Sequence, residues 1–252
     1  MKNHFEISED NKVLTKYVDD PIQLNCEIIH TQAGIDCASN TMLFRVPKIL
    51  SYDEKSISFE YIYPSINYKY LLLQDYQKAR MLGKKIVDII LFLQEKLSHK
   101  NKLSLEQPIF DDTGDMQWCY VHGDFSMQNI LVAEDQILLI DWVSSRWIDN
   151  VFNFAPKHWD FLWFVQSLLL TQESQQLKRK QISTLAREMI YEYLKKQEIT
   201  TPIELAAWAI NMNTYLYHNQ FLKKSRWYSI LKHHWGWAFY RKFWKKIAVE
   251  NT

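Results

Sequence analysis

His122-Gly123-Asp124-Phe125-Ser126-Met127-Gln128-Asn129-Ile130-Leu131, followed by Leu139-Ile140-Asp141-Trp142, is the stretch on which the reading of this chain turns. An apolar entry, Trp118-Cys119-Tyr120-Val121, leads into it. Ile130 to Ala133, the turn Glu134-Asp135, and Gln136 to Ile140 then have the lengths and residue types of a β-hairpin. Two strands of similar length closed by a tight turn bring their outer ends together, so Asn129 and Asp141 are expected side by side. Gly123 lets the backbone turn tightly before Asp124. His122 is expected to brace the loop by hydrogen bonds instead of exchanging protons.

A loop carboxylate beside an amide and a second carboxylate is a set with a chemical use. Phosphoryl transfer needs a carboxylate to orient the attacking hydroxyl, hard oxygen ligands to hold magnesium on the phosphates, and a cation for the remaining charge. Asp124 fits the first requirement. Asn129 and Asp141 fit the second, because magnesium keeps several waters and shares phosphate oxygens instead of taking a full protein cage. The plain alternative is a pair of ordinary turn and strand-end aspartates.

Working outward, the 252 residues carry 30 basic and 29 acidic side chains, a formal net charge of +1, so no global charge points to nucleic acid or to a strongly acidic partner. Nearly half the residues are hydrophobic, enough for one sizeable core or two small ones in contact. Cys26, Cys37 and Cys119 are far apart and show no Cys-x-x-Cys spacing, which fits a reducing cytoplasm. Lys2-Asn3-His4 does not open a secretory signal, and the most apolar window, Phe161 to Leu170, is too short to span a bilayer. We expect a cytoplasmic protein with no transmembrane segment.

Before the motif, the pattern is strand-rich. Phe5 to Ser8 and Lys12 to Val18 read as a hairpin, Pro21 opens a helix through Leu24 and Ile28 that Gly34 is expected to stop, and Val46 to Tyr52 with Ser56 to Ile62 form a second strand pair. After Pro64 the character changes. Leu71 to Leu97 reads as one helix with an apolar face at Leu82, Ile86, Ile89, Ile90, Leu93 and Leu97. A loop runs from Ser98 to Gln117, and from Lys157 four helices are expected near 158–171, 174–197, 202–222 and 227–248, with no strand among them. The reading is an α+β chain with a small lobe over residues 1–63, a hinge near Glu60 to Ser65, and a mainly helical lobe over residues 64–252.

The motif from His122 to Leu131, with Leu139 to Trp142, resembles that of the aminoglycoside phosphotransferase and choline kinase superfamily, small-molecule relatives of the protein kinases. The resemblance implies a bilobal kinase-like fold and an ATP- and magnesium-dependent transfer of the γ-phosphate to a hydroxyl of a small molecule. By it, Asp124 is the catalytic base, Asn129 and Asp141 bind magnesium, and Asp160 in Lys157-His158-Trp159-Asp160-Phe161-Leu162 steadies the catalytic loop. It likens Lys16 and Glu27 to the ion pair that holds the α and β phosphates, with Lys12 an alternative lysine on the same strand face. Glu60, Tyr61 and Ile62 fall where hinge backbone groups would bind adenine. Leu14, which shares a face with Lys16, would cover the base or serve as an ordinary core leucine.

The chain departs from that pattern in one place. Kinases lay a Gly-rich hairpin over the phosphates, yet no glycine precedes Gly34, so the loop is missing, reduced, or replaced by side chains such as Ser8 and Asn11. Near the end, Lys223, Lys224, Arg226, Lys232, Arg241, Lys242, Lys245 and Lys246 alternate with Trp227, Tyr228, Trp235, Trp237, Phe239, Tyr240, Phe243 and Trp244. This segment reads either as a surface for an anionic ligand or as a last helix packed by its aromatics. Asp111, Asp112, Asp115 and Asp149 offer an acidic pocket for an amine, so sugar, choline-like and antibiotic acceptors all stay open. The rival readings are a protein kinase, for which no activation segment is recognisable between Asp141 and Asp160, and a pseudokinase scaffold.

Overall fold

The computed structural model describes residues 4–97, 118–142, 154–170, 179–197, 201–216 and 227–250. The chain opens with β1 (His4–Ile7) and β2 (Val13–Tyr17), joined by a turn that organises itself without glycine. The Ser8 hydroxyl accepts the amides of Lys12 and Val13 and donates to Asp10. Asn11 takes the left-handed conformation at φ 54°, which its short polar side chain tolerates. With β3 (Ile49–Tyr52) and β4 (Ser56–Glu60), these strands form an antiparallel sheet in the order β1-β2-β4-β3.

Between β2 and β3 runs α1 (Pro21–Ala38), capped by Asp20, whose carboxylate accepts the amides of Ile22 and Gln23. Gly34 does not stop this helix as the sequence suggested; the helix runs on to Ala38. The reason is tertiary. A Cβ on Gly34 would lie 2.5 Å from the indole of Trp142, so glycine here permits a close approach instead of a chain reversal.

A two-residue strand, β5 (Ile66–Asn67), leads into α2 (Tyr68–Gln74) and α3 (Tyr76–Leu97). The single helix expected from Leu71 is broken at Asp75, whose side chain accepts the Lys78 amide and so starts α3 afresh. The expected apolar face of α3 is buried from Leu82 to Leu97. The motif hairpin is β7 (Ile130–Ala133) and β8 (Gln136–Leu139), which β5 joins in a three-stranded sheet. Ahead of it, β6 (Trp118–Tyr120) pairs antiparallel with β9 (Phe154–Pro156), a strand pair that the sequence did not announce.

The remaining described elements are helical: α4 (Trp159–Leu170), α5 (Arg179–Lys196), α6 (Pro202–Tyr215) and α7 (Trp227–Val249). Their apolar faces form one core with α3 and the motif hairpin, and Cys37, Phe44 and Val46 from the first part of the chain are packed into it. The only other cluster among the described residues is small, Val18, Leu24 and Ile57 between the first sheet and α1. A further tie joins the two parts. The Arg45 amide donates to Ile137 and its carbonyl accepts from Leu139, so the segment before β3 lies along β8.

In α7, Trp237, Tyr240, Phe243, Trp244 and Ile247 are buried in the main core. The guanidinium groups of Arg179 and Arg187 lie 5.6 Å from the ring centroids of Phe239 and Phe243 respectively. The described aromatics of this segment therefore act in packing, while Arg241 is half-buried and Lys242, Lys245 and Lys246 are exposed. Lys223, Lys224, Arg226, the side chains of Trp227, Tyr228, Lys232 and Trp235, and Asp111, Asp112, Asp115 and Asp149 lie outside the described residues. No described helix is long and apolar enough to cross a membrane.

Two stability predictions follow from this packing. Gly34→Ala gains about 1 kcal/mol of helix propensity but forces its methyl into Trp142. Overpacking of about 1–3 kcal/mol should win, giving a lower urea midpoint; an unchanged or higher midpoint would show that α1 can move aside freely. The second concerns His158, which is buried, stacked on Trp208 at 4.6 Å between ring centroids, and bonded through Nδ1 to the Tyr193 hydroxyl at 2.6 Å. Burial, aided by Lys157, holds its pKa down at about 4 against an ordinary 6.5. The folded pKa is depressed, so the stability linked to this imidazole is present above pH 6.5 and is lost as pH falls towards 4. His158→Gln should therefore flatten the pH dependence of unfolding free energy in that window by up to about 1.4 kcal/mol per pH unit; equal slopes in the two proteins would show that the imidazole is not held neutral.

Candidate active site

The motif hairpin brings its ends together through a bond from the Ile140 amide to the Asn129 carbonyl at 3.0 Å, which extends the Ile130–Leu139 register by one step. Asp141 follows in the left-handed conformation, φ 60°, which aspartate accepts more readily than most residues. Its carboxylate meets the first sheet: Lys16 Nζ donates to Asp141 Oδ1 at 2.9 Å and to Glu27 Oε1 at 2.7 Å. The second strand, the first helix and the end of the motif hairpin thus share one ammonium group. Lys12, the alternative, is exposed and pairs with Asp10.

Lys16 and Glu27 are almost wholly buried, whereas the Asp141 side chain is 42 % exposed. Burial works against the Lys16 ammonium, but the Asp141 and Glu27 carboxylates outweigh it and hold its pKa above the ordinary lysine value. Two carboxylates around one ammonium leave a local excess of negative charge, a setting that favours a further cation. Asn129 lies beside it. Its Nδ2 donates to the Asp124 carbonyl at 2.9 Å, which fixes the amide and leaves Oδ1 as the atom able to ligate a cation. A carboxylate oxygen and an amide oxygen fit magnesium, whereas no group of three or more His, Cys, Asp or Glu suited to a metal occurs among the described residues.

These residues open into a cleft of about 270 Å³ between the first sheet and the motif hairpin. Leu14, Lys16, Glu27, Glu60, Ile62, Asn129 and Asp141 all line it, and the rest of its wall is largely apolar, including Phe5, Val46, Phe59, Leu131 and Leu139. Phe5 stands directly across from Lys16 in the β1–β2 register, so the two share the cleft face. The Glu60 side chain turns to Arg45, accepting both contacts at 3.1 Å, and the Tyr61 amide is spent on Lys12 O at 2.7 Å. The Glu60 amide is likewise taken, by Lys48 O at 2.9 Å, so neither the Glu60 carboxylate nor these two amides are left to a flat ring here.

Asp124 sits on the loop before the hairpin, and α4 holds that loop. The Asp160 carboxylate accepts the His122 amide at 2.8 Å and the Gly123 amide at 3.1 Å, and the Trp159 indole donates to the Gly123 carbonyl at 3.2 Å. Gly123 has φ 90°, a conformation that a side chain would strain. Burial pushes Asp160 up to about 7 in spite of its two amide donors, so its ordering of the loop carries an electrostatic cost. His122 is fully buried between Trp142 and Phe125, and its Nε2 donates to the Ile140 carbonyl at 3.1 Å. Burial lowers its pKa to about 4, so it is a neutral brace between the loop and the hairpin.

The site also contains residues that the sequence did not flag. Trp142 fills the space between His122 and Gly34, and Trp163 Nε1 donates to Asp124 Oδ1 at 2.6 Å. The spacing of Trp159 and Trp163, one helical turn apart on α4, is the signal that would have found the second.

No protein-family model matches the sequence, and no curated protein matches it. Solved structures do. A choline kinase from Streptococcus pneumoniae is 13% identical over 99% of this chain and 89% of its own, with a TM-score of 0.55. A glucosamine kinase solved with glucosamine, ADP and inorganic phosphate is 12% identical over 95% of this chain and 78% of its own, with a TM-score of 0.58. The streptomycin–ATP complex of APH(2″)-IIa is 15% identical over 87% of this chain and 86% of its own, with a TM-score of 0.52. At such identities the likeness is one of fold: this chain has a bilobal α+β, protein-kinase-like fold in common with these small-molecule kinase structures.

Proposed function

We propose that the protein is a small-molecule kinase, moving the γ-phosphate of ATP to a hydroxyl of a small acceptor, in the reducing setting of the cytoplasm that its three separate free thiols suit. The observation that carries this reading is the convergence of Lys16, Glu27, Asn129 and Asp141 on one cleft with Asp124 held on the adjoining loop. The fold supports it, since the solved relatives named above include a complex with ADP and one with ATP.

In the proposed arrangement the nucleotide lies between residues 1–63 and the remainder of the chain. The adenine enters the apolar cleft lined by Leu14 and Phe59 and meets backbone groups from Glu60 to Ile62. Lys16, oriented by Glu27, faces the phosphates. Asn129 and Asp141 would hold magnesium, which when bound supplies charge neutralisation on the phosphate oxygens. Asp124 accepts the hydroxyl proton of the acceptor as the new oxygen–phosphorus bond forms and the bond to the bridging oxygen of ATP breaks, releasing ADP. The acceptor is a small hydroxylated molecule of the sugar, choline-like or antibiotic kind.

A nucleotide-binding protein without turnover is the second reading. One observation favours it: the β1–β2 turn spends Ser8 on its own backbone and has no glycine to lie against phosphates.

Magnesium-ATP at about a hundred times its dissociation constant should add about 2.7 kcal/mol to stability, read as a rise of several degrees in melting temperature. Lys16→Met should abolish most of that rise, and a protein that no purine nucleotide stabilises would be incompatible with the proposal. In a mass-spectrometric screen of hydroxylated acceptors, the wild type should yield a product heavier by one phosphoryl group, and Asp124→Asn should slow its formation by about 10²–10⁴-fold. Binding without any product across the screen would favour the second reading.

A further inference from the structure

The mechanism leaves one feature of the catalytic loop unused. Asp124 does not stand on its loop alone: its Oδ1 accepts the indole N–H of Trp163 at 2.6 Å, a short bond to a carboxylate. That indole is itself fixed. Trp163 lies one turn after Trp159 on α4, and the two rings are stacked with centroids 5.9 Å apart and planes 9° from parallel. Trp159 is buried and donates to the Gly123 carbonyl, so the stack is anchored to the residue just before Asp124. The backbone of Asp124 is held as well, because its carbonyl accepts from the Ser126 amide at 2.7 Å and from Asn129 Nδ2 at 2.9 Å. Backbone bonds fix where the residue is but leave rotation about its side-chain bonds. The indole N–H removes that freedom.

We propose that Trp163 is a positioning residue for phosphoryl transfer, its indole N–H fixing the plane of the Asp124 carboxylate so that the attacking hydroxyl is received in one orientation. The inference rests on the kinase reading above and deepens it. Orientation of a reacting group by a rigid neighbour acts on the chemical step, and displacements on the order of 1 Å cost about 10²-fold in rate. Nucleotide binding should be indifferent to it, since Trp163 does not line the cleft that holds Lys16 and Asp141.

The test uses ADP release from magnesium-ATP with water as acceptor, so it needs no knowledge of the natural acceptor. Trp163→Phe keeps the ring stacked on Trp159 and removes only the N–H. It should lower kcat about tenfold or more, leave KM for ATP within about twofold, and leave the melting temperature nearly unchanged. Trp163→His, which restores an N–H donor on a smaller ring, should recover part of kcat. In an Asp124→Asn background, Trp163→Phe should have almost no further effect, because residues that act as one unit are non-additive. A kcat equal to wild type, the same fractional loss with and without the Asp124 carboxylate, or a histidine variant no better than phenylalanine would each overturn the proposal. Should Trp163→Phe fail to fold, Asp124→Asn in a ¹⁵N-labelled protein reads the contact with Trp163 intact: the Trp163 indole proton resonance should move, and an unmoved resonance overturns the proposal. A wild type that consumes no ATP with water or with any acceptor of the screen above refutes the kinase reading and this inference with it, whereas an active wild type matched by Trp163→Phe refutes this inference alone.

Discussion

The ammonium of Lys16 is the point at which the parts of this molecule meet. It is almost wholly buried on β2, yet it bonds a helix carboxylate, Glu27, and a carboxylate from the far hairpin, Asp141. A buried charge is tolerable only with opposite charge beside it, so the position of β2 is tied to those of α1 and the motif hairpin. Replacing Lys16 would leave both carboxylates uncompensated, Glu27 in a place almost closed to water. The same set carries more carboxylate than ammonium, and a cleft that shields such an excess is disposed to accept a further cation.

Everything around the ion pair serves to hold its members at fixed distances. Gly34 gives α1 a face without a side chain, which lets the indole of Trp142 lie against the helix that carries Glu27. Trp142 in turn packs on His122, and His122 bonds Ile140, the residue before Asp141. The first two turns of α4 then set the loop from His122 to Asp124, through the Asp160 carboxylate and the Trp159 and Trp163 indoles. Aromatic rings suit this task because they bury large areas with few rotatable bonds and still offer one donor. The abundance of tryptophan in the chain is in part the consequence.

The segment of the β1–β2 turn illustrates a different solution to a local need. Where a glycine would relax the backbone, Asn11 adopts the left-handed conformation and the Ser8 hydroxyl satisfies the turn amides. The turn is well formed by these means, but its polar groups are engaged internally. Cover for the cleft on this side comes from Phe5, an apolar ring across the strand from Lys16.

Local chemistry was enough to read the hairpin, the meeting of Asn129 and Asp141 at its ends and the apolar face of α3, because strand lengths, turn residues and helical periodicity are properties of short stretches. The placement of Lys16 and Glu27 on a strand and the helix after it was legible for the same reason, with the alternative of Lys12 open. Sequence alone did not reveal that α1 passes through Gly34, that Asp75 divides the helix before α3, or that β6 pairs with β9. Each of those depends on what lies opposite: an indole against Gly34, a capping carboxylate that halts one helix to begin the next, and a partner strand more than thirty residues away by the chain numbering. The same holds for the bond from Trp163 to Asp124 and for Trp237 and Trp244 of α7, whose burial was one of two readings until the core surrounded them. Residue types and spacing determined which groups are present for chemistry; only the packed chain decided which of them touch, because contacts between distant segments are set by burial and shape and leave no period in the sequence.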